Sequence, residues 1–228
     1  MAEYIVFTLA ANLSAMGGPA GHERRGTMMA PGKSAVIGLL GAAMGLDRED
    51  TEGFAPLDTL GLAVSRIVDG NHLRDYHTVQ TVPTAKAKRP DSRPAALRQA
   101  GLGVNTAITL RDYRCGAVFG VALWGNVDLS QLAEALRKPV FHLYLGRKCC
   151  PLSAPLAPKV IEVKSAQEAL AHVTLPHWIG THAGLAHHIE RDATEDEIGR
   201  IELRQDQSLN RSKWHFGPRR VVVSGGAQ

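Results

Sequence analysis

The chain has 228 residues, of which 44% are hydrophobic and 21% charged, and its formal net charge is +4. This composition is typical of a globular protein and excludes a wholly disordered chain, a collagen and a simple coiled coil. The longest apolar stretch, residues 35–46, is too short to span a bilayer, and the first residues lack the pattern of a secretory signal. We therefore expect a cytoplasmic protein that does not contact a membrane and keeps its three cysteines reduced.

Positive charge is concentrated in the middle third of the chain. Residues 66–150 carry 13 basic and 6 acidic side chains, a net charge of +7, whereas residues 1–65 carry a net −3 and residues 151–228 are neutral. Such a local excess can hold a polyanion such as a nucleic acid, although a solvated basic face would show the same count.

The first 79 residues predict four elements. Residues 4–10 are short, β-branched and aromatic, which predicts a buried strand. After a glycine-rich polar stretch, the apolar pattern of residues 35–46 predicts a helix capped by Ser34. Residues 60–68 predict a second strand, and the turn residues 69–71 predict a hairpin to a return strand at residues 72–79.

A long basic segment follows, from Thr81 to Asn105. Its three prolines and its lack of aromatic residues predict a mobile loop without regular structure, which we call the thumb. Its cations are Lys86, Lys88, Arg89, Arg93 and Arg98.

Strand and helix patterns resume after the thumb. Residues 107–110 and 114–124 predict strands, residues 129–138 a helix, and residues 140–145 a strand that leads into a basic turn at residues 146–148. The order of elements predicts an α+β, ferredoxin-like domain over residues 1–150, with the thumb inserted. Prolines at 151, 155 and 158 mark a break before a smaller C-terminal extension, residues 151–228, with two short helices and a late strand at 220–223.

Two motifs could indicate a nucleotide-binding site or a metal-binding site. Gly32-Lys33-Ser34 before a helix suggests a P-loop, but the glycine that the pattern needs five residues earlier is Thr27. Lys33 and Ser34 then remain candidates for holding a single phosphate at a helix N-terminus. Histidines recur at positions 172, 177, 182 and 187, and two cysteines lie at 149 and 150. A spacing of five does not align side chains on one helical face and no Cys-x-x-Cys is present, so we expect no metal and no cofactor.

Tyr76 and His77 raise the question of catalysis. With Arg74 before them and Lys86 after, they could supply an acid–base pair that cleaves RNA through its 2′-hydroxyl. The alternative is a strand end whose successive residues point to opposite faces. We favour the alternative for catalysis and assign the basic residues to binding.

Four blocks of sequence in collinear order resemble a known family. They are Ser14–Gly17 after the first strand, Arg25–Thr27 leading into Pro31–Ser34 and Gly38–Gly41, then Leu73–Val79, and finally Tyr144–Leu152. Together they resemble the Cas-five family of CRISPR-associated RAMP proteins, in the form found in type I-E Cascade complexes. The resemblance covers residues 1–152, and residues 153–228 match loosely.

The resemblance implies a ferredoxin-like (RRM-like, RAMP) core with a protruding thumb. It also implies a role as an RNA-binding subunit, without catalytic activity, of an antiviral ribonucleoprotein. That subunit caps the 5′ handle of the CRISPR RNA, joins the large subunit to the backbone subunit, and meets target DNA through the assembled complex. A sister subtype cleaves the RNA itself with tyrosine, lysine and histidine, so the alternative is a metal-independent endoribonuclease that uses Tyr76, His77 and Lys86 or Lys88.

The low aromatic content, 5%, favours phosphate contacts over base stacking. The expected RNA-binding residues are Arg25, Thr27, Lys33, Ser34, Arg74, Tyr76, His77, Lys86, Lys88, Arg89, Arg111, Tyr144, Gly146, Arg147 and Lys148.

Overall fold

The computed structural model describes residues 1–18, 21, 23–179, 188–194 and 199–225. The strands are β1 (Ala2–Ala10), β2 (Leu13–Ser14), β3 (Arg24–Arg25), β4 (Gly61–Val68), β5 (Asn71–Thr81), β6 (Asn105–Cys115), β7 (Val118–Trp124), β8 (Lys159–Val163), β9 (His188–Asp192), β10 (Ile201–Asn210) and β11 (His215–Ser224). The helices are α1 (Lys33–Met44), α2 (Thr51–Asp58), α3 (Arg93–Ala100), α4 (Leu129–Arg137) and α5 (Ala166–Leu170). Among these described residues, no helix is long and apolar enough to cross a membrane.

A seven-stranded antiparallel sheet forms the body of the protein, in the order β10-β11-β9-β4-β7-β1-β8. The four strands at one end of this sheet, β4-β7-β1-β8, with α1 after β1 and α4 after β7, have the strand order of a ferredoxin-like βαββαβ unit. The predicted α+β, ferredoxin-like class is therefore confirmed. The fourth strand of that unit is β8, so the core continues past residue 150, where the sequence predicted a boundary.

Strand β1 shows why both faces of this sheet are covered. Ile5, Phe7 and Leu9 point to the main core beneath α1, α2 and α4, while Tyr4 and Val6 point to a second cluster that includes α5. Because successive side chains of a strand alternate between faces, a strand buried along its length needs layers on both sides. The short apolar run at residues 4–10 is thus a central strand, as predicted.

Helix α1 begins and ends at glycines. Gly32 is the N-cap residue, and Gly45 ends the helix in a left-handed conformation with φ of 78°. The predicted cap, Ser34, is wrong, because Ser34 lies inside the first turn. The backbone N–H of Lys33 instead donates to the carboxylate of Asp206, at 2.7 Å from its Oδ2. A residue far along the chain therefore caps this helix.

The hairpin predicted at residues 60–79 is also wrong. Strand β4 pairs with β7 and β9 in the large sheet, whereas β5 pairs with β6 over its whole length in a second sheet. The turn at residues 69–70 instead carries the chain from one sheet to the other. The Arg114 side chain fixes this crossing by donating to the carbonyl oxygens of Asp69 and Gly70 at 2.7 and 2.8 Å.

The thumb contains regular structure, which corrects the prediction of an irregular loop. It is the tip of a two-stranded ribbon formed by β5 and β6, closed by the pair Thr81–Asn105. A 3₁₀ turn, Thr84–Lys86, and helix α3 occupy the tip. Pro94 is compatible with α3 because it lies in the first turn, where a missing N–H leaves no helical hydrogen bond unmade.

The other corrections lie in short or distant elements. Residues 140–145 form no strand, and Tyr144 makes only an isolated bridge to Pro151. Helix α2 was not predicted. Residues 159–225 contribute four strands to the large sheet where the sequence predicted one, although the late strand at 220–223 lies within β11.

Candidate nucleic-acid interface

The smaller sheet brings together the basic segments of the chain. Strand β6 pairs with β5 along one edge, and with β2 and then β3 along the other. With the basic turn, residues 146–148, these strands carry seven arginine or lysine side chains against two carboxylates. The cations are Arg24, Arg25, Arg74, Arg111, Arg114, Arg147 and Lys148, and the carboxylates are Asp75 and Asp112.

One face of this sheet is organised by Asp112 on β6. The Arg74 Nε lies 2.7 Å from Asp112 Oδ1, the Arg24 guanidinium lies 3.0 Å from Oδ2, and His72 Nε2 lies 3.4 Å from Oδ1. We call these four residues the Asp112 cluster. The hydrogen bond from Arg74, and then that from Arg24, hold the pKa of the Asp112 carboxyl well below its usual range.

The Asp112 cluster has more cationic than anionic charge. Its carboxylate side chain is only 4% exposed, whereas the Arg24 and Arg74 side chains are 59% and 41% exposed. A guanidinium has five N–H donors, and each arginine uses two of them on Asp112. The remaining donors point toward solvent in an orientation fixed by the carboxylate. Such donors suit the oxygens of a phosphate.

The opposite face is organised by Arg147. Its guanidinium lies over the ring of the buried Tyr113, 4.6 Å from the ring centroid, and donates to the carbonyl oxygens of Asp112 and Arg25. Arg111 and the exposed Arg25 share this face by register, because they pair with each other across β3 and β6. We call it the Tyr113 face. Lys148, the residue after Arg147, is exposed.

Gly146 sets the position of the basic turn. Its φ is 84°, and a Cβ added there would lie 1.7 Å from the carbonyl oxygen of Ala15. The turn therefore packs directly against the chain that leaves β2, and the Ala15 N–H donates to the Leu145 carbonyl at 3.1 Å. Only glycine fits this conformation and this contact. This packing joins the basic turn to the small sheet.

The predicted site residues are divided by this geometry. Tyr76 lies on the face of Arg74, whereas His77 lies on the Tyr113 face, because neighbours in a strand point to opposite sides. The two side chains are not brought together as an acid–base pair. Thr27 has a structural role, since its Oγ1 accepts from the N–H of Met16 at 2.9 Å.

Other predicted residues lie elsewhere. Lys86, Lys88 and Arg89 are exposed in the thumb. Ser34, Tyr144 and Gly146 line one cleft of about 450 Å³ beside α1.

Lys33 is buried beneath the C-terminal strands. Its side chain is 8% exposed, its Nζ lies 3.9 Å from Asp192 Oδ2, and burial lowers the pKa of its ammonium. The Asp206 carboxylate already occupies the helix N-terminus where a phosphate was predicted. This is a correction to the predicted site, because Lys33 has its partners within the chain.

Sequence reasoning missed Arg24, His72 and Asp112. A signal was present: residues 72, 74 and 76 alternate along β5 and so share a face, but their partner strand was not identified. Of the histidine series, His172 and His177 lie in the described part of the chain, which contains no cluster able to hold a metal ion. His182 and His187 lie outside the described residues.

The fold and this site define a ferredoxin-like, RAMP-type protein with a cationic ribbon. The family described as "CRISPR-associated protein (Cas_Cas5)" matches residues 4–222. The chain belongs to this family, which confirms the resemblance found in the sequence.

One relative and two solved structures support this family membership. The chain is 35% identical over 184 residues to "CRISPR system Cascade subunit CasD" of Escherichia coli (strain K12), covering 75% of this chain and 76% of the relative. It is similar to a chain of a "CRISPR RNA-guided surveillance complex", with a TM-score of 0.64, 25% identity, and coverage of 97% and 89%. It is also similar to "Crystal structure of Cas protein", with a TM-score of 0.61, 26% identity, and coverage of 97% and 93%.

Proposed function

We propose that this chain is an RNA-binding subunit, without catalytic activity, of a CRISPR Cascade complex, and that it holds the 5′ handle of the CRISPR RNA. The proposal rests on the small sheet and the basic turn, which together carry seven cationic side chains and two carboxylates. Family membership and the similarity to a Cascade subunit support the same role.

The ribbon is suited to a flexible polyanion because cations lie on both of its faces. Arg24 and Arg74 lie on one side, and Arg25, Arg111 and Arg147 on the other. None of the hydrophobic clusters of the described residues includes a residue between 69 and 112. The ribbon therefore contributes little to the core and is available to a ligand. A single strand of RNA can bend around such a projection and place phosphates on either face.

In this proposal the subunit joins the large subunit to the backbone subunit. Target DNA is reached through the assembled complex, which acts in the cytoplasm and away from membranes. The similarity to a chain of an RNA-guided surveillance complex, over 97% of the present chain, supports this assignment.

Charge reversal on the Tyr113 face and in the basic turn tests the RNA-binding role. The double variant Arg25→Glu with Lys148→Glu changes two exposed side chains. Its matched control, Lys159→Glu with Lys164→Glu, makes the same charge change at and just after the edge strand β8. The measurement is the dissociation constant for CRISPR repeat RNA across a salt series.

We expect the first variant to bind more weakly. For a single strand, the slope of log Kd against log salt should fall by about 0.7 for each phosphate that the variant no longer neutralises. The control should keep the wild-type slope. Equal slopes and affinities for the two double variants would contradict the proposal.

The absence of catalysis needs its own test, since an endoribonuclease remains the alternative. The separation of Tyr76 and His77 to opposite faces favours a binding role. We expect labelled repeat RNA to stay intact on incubation with the purified chain. Site-specific cleavage that disappears in His77→Ala would establish the enzyme instead.

A further inference from the structure

Two adjacent thiols follow the basic turn. The sulfur atoms of Cys149 and Cys150 lie 3.9 Å apart, and both residues are free cysteines. Cys149 is exposed, whereas Cys150 is fully buried in the main core. The role proposed above uses neither sulfur.

We propose that Cys149 and Cys150 form a redox modification site, which closes to a disulfide between adjacent residues on reaction with a hydroperoxide. The two sulfur atoms already lie 3.9 Å apart, but a bond between them requires the turn to distort, because adjacent Cα atoms are closer than the spacing usual for a disulfide. One thiol is accessible to a solvent oxidant and the other is held behind it, an arrangement suited to attack followed by resolution.

The reaction balances in two steps. The Cys149 sulfur attacks the peroxide and breaks its O–O bond, which gives a sulfenic acid and releases water or an alcohol. The Cys150 sulfur then displaces the hydroxyl group, and its proton leaves with that group as water. Two thiols are oxidised by two electrons in total, and the peroxide is reduced.

The order of the steps follows from burial. Burial raises the pKa of the Cys150 thiol to about 11, so this group stays protonated at neutral pH and is a poor first nucleophile. Cys149 is therefore the sulfur that reacts first. The contact with Cys150 makes the second step intramolecular, which compensates for the low fraction of thiolate.

Closing the disulfide would disturb the basic turn. The Tyr113 hydroxyl lies 3.7 Å from the Cys149 sulfur, and Arg147 stacks on the ring of the same tyrosine. The Cys150 N–H also donates to the Arg147 carbonyl at 2.8 Å. A ring that includes the peptide between Cys149 and Cys150 must displace these contacts. Oxidation should therefore weaken RNA binding, a consequence that rests on the proposed function.

The modification is tested in a Cys115→Ser background, which removes the third cysteine. After peroxide treatment we expect the intact mass to fall by two hydrogen atoms, with fragmentation placing the bond at residues 149–150. The reduced protein should also bind one phenylarsine oxide, a reagent for paired thiols. Cys149→Ser, at an exposed position, should lose both responses. Two free thiols after treatment, or oxidation of Cys149 to a sulfonic acid without a disulfide, would overturn the proposal.

RNA affinity is then compared before oxidation, after oxidation and after re-reduction. We expect about a tenfold loss on oxidation, the scale of one charge-assisted contact, with recovery on reduction. A disulfide that leaves affinity unchanged would overturn the coupling to RNA. Failure of the reduced protein to bind RNA would instead count against the proposed function, because the mass measurement does not depend on it.

Discussion

Two of the regions where basic and acidic side chains meet differ in their surroundings. In the Asp112 cluster, Arg24 and Arg74 share one buried carboxylate and are themselves 59% and 41% exposed. Beneath the C-terminal strands, Lys33 and Arg219 meet Asp192 and Asp206, and the two cations are only 8% and 9% exposed. We call this second group the buried charge network.

The difference lies in charge balance and solvent access. The buried charge network has two carboxylates for two cations, and Arg219 donates from Nε and from a terminal nitrogen to Asp206, both at 2.8 Å. Buried ions need this complete pairing, because removing one partner leaves an unpaired charge away from water. The Asp112 cluster has cations in excess, and solvent satisfies their remaining donors. The first arrangement is structural, whereas the second leaves capacity for a ligand.

The largest expected effect comes from breaking the buried charge network. Asp206→Ala removes the acceptor for the Lys33 N–H and two hydrogen bonds from Arg219. We expect the free energy of unfolding to fall by about 3 kcal/mol or more, as for other buried pairs that lose one partner. Denaturant titration measures this change.

Two controls sharpen that comparison. Glu134→Gln removes an exposed partner of Arg137 and should cost about 1 kcal/mol or less. RNA affinity of the folded Asp206→Ala protein should match wild type. If Asp206→Ala lowered RNA affinity without lowering stability, the assignment of the buried charge network to structure would be wrong.

A second prediction compares two glycines with positive φ. Gly146→Ala places a methyl group against the Ala15 carbonyl, whereas Gly116→Ala, with φ of 69°, meets nothing within 4 Å. Gly116→Ala, the control, should lower the free energy of unfolding by about 1 kcal/mol, because alanine disfavours the left-handed conformation. Gly146→Ala should lower it by about 3 kcal/mol, because the collision with Ala15 adds to the same backbone strain.

RNA binding separates the two glycine variants as well. Gly146→Ala should weaken it, because the variant displaces the turn that holds Arg147, whereas Gly116→Ala should leave it unchanged. Similar stability for the two variants would show that the basic turn tolerates movement away from Ala15.

These regions also show what the sequence could predict. Strand β1 and helix α4 follow from local patterns, and Asp128 is the N-cap of α4, with its carboxylate accepting from the Gln131 N–H. The four motif blocks identified the family. The basic turn at 146–148 was likewise predicted, because its glycine and two cations are adjacent in the chain.

Long-range partners could not be predicted in this way. Lys33 and Asp206 are 173 positions apart, so nothing near Lys33 indicated that a carboxylate would cap its helix. The same limit explains the wrong hairpin, because β4 and β5 carry good strand patterns but pair with different sheets. Pairing depends on burial of a whole face, which short segments do not encode.

A third prediction uses pH on the Asp112 cluster. Because hydrogen bonds from Arg74 and Arg24 lower the pKa of Asp112 in the folded protein, ionised Asp112 stabilises the fold at every pH above its unfolded pKa of about 3.9. That stability is lost as pH falls below this value toward the folded pKa. The stability difference between wild type and Asp112→Asn should be constant from about pH 8 to pH 5 and shrink below about pH 4.

The expected size of the stability loss in Asp112→Asn, and the choice of its control, depend on how exposed the side chains are. We expect Asp112→Asn to cost less than Asp206→Ala, since Arg24 and Arg74 can return to water. Asp91→Asn, at an exposed position in the thumb, should show no such change with pH. If the stability difference between wild type and Asp112→Asn began to shrink near neutral pH, groups other than Asp112 would control acid stability.

The smallest effect on stability is expected in the thumb. Replacing residues 82–104 by an Asn-Gly turn joins the paired residues Thr81 and Asn105 by a connection that antiparallel strands favour. Because the hydrophobic clusters of the described residues contain no thumb residue, unfolding free energy should change by about 0.5 kcal/mol or less. The same variant removes five cations and one aspartate and should bind RNA more weakly, with a lower salt dependence. A second variant keeps the full-length thumb and changes its five cations to glutamine, which separates the effect of charge from that of shape. If this variant binds RNA as the wild type does, phosphate contacts by the thumb are excluded. If it binds RNA as weakly as the deletion variant, the lost charge accounts for the lost affinity.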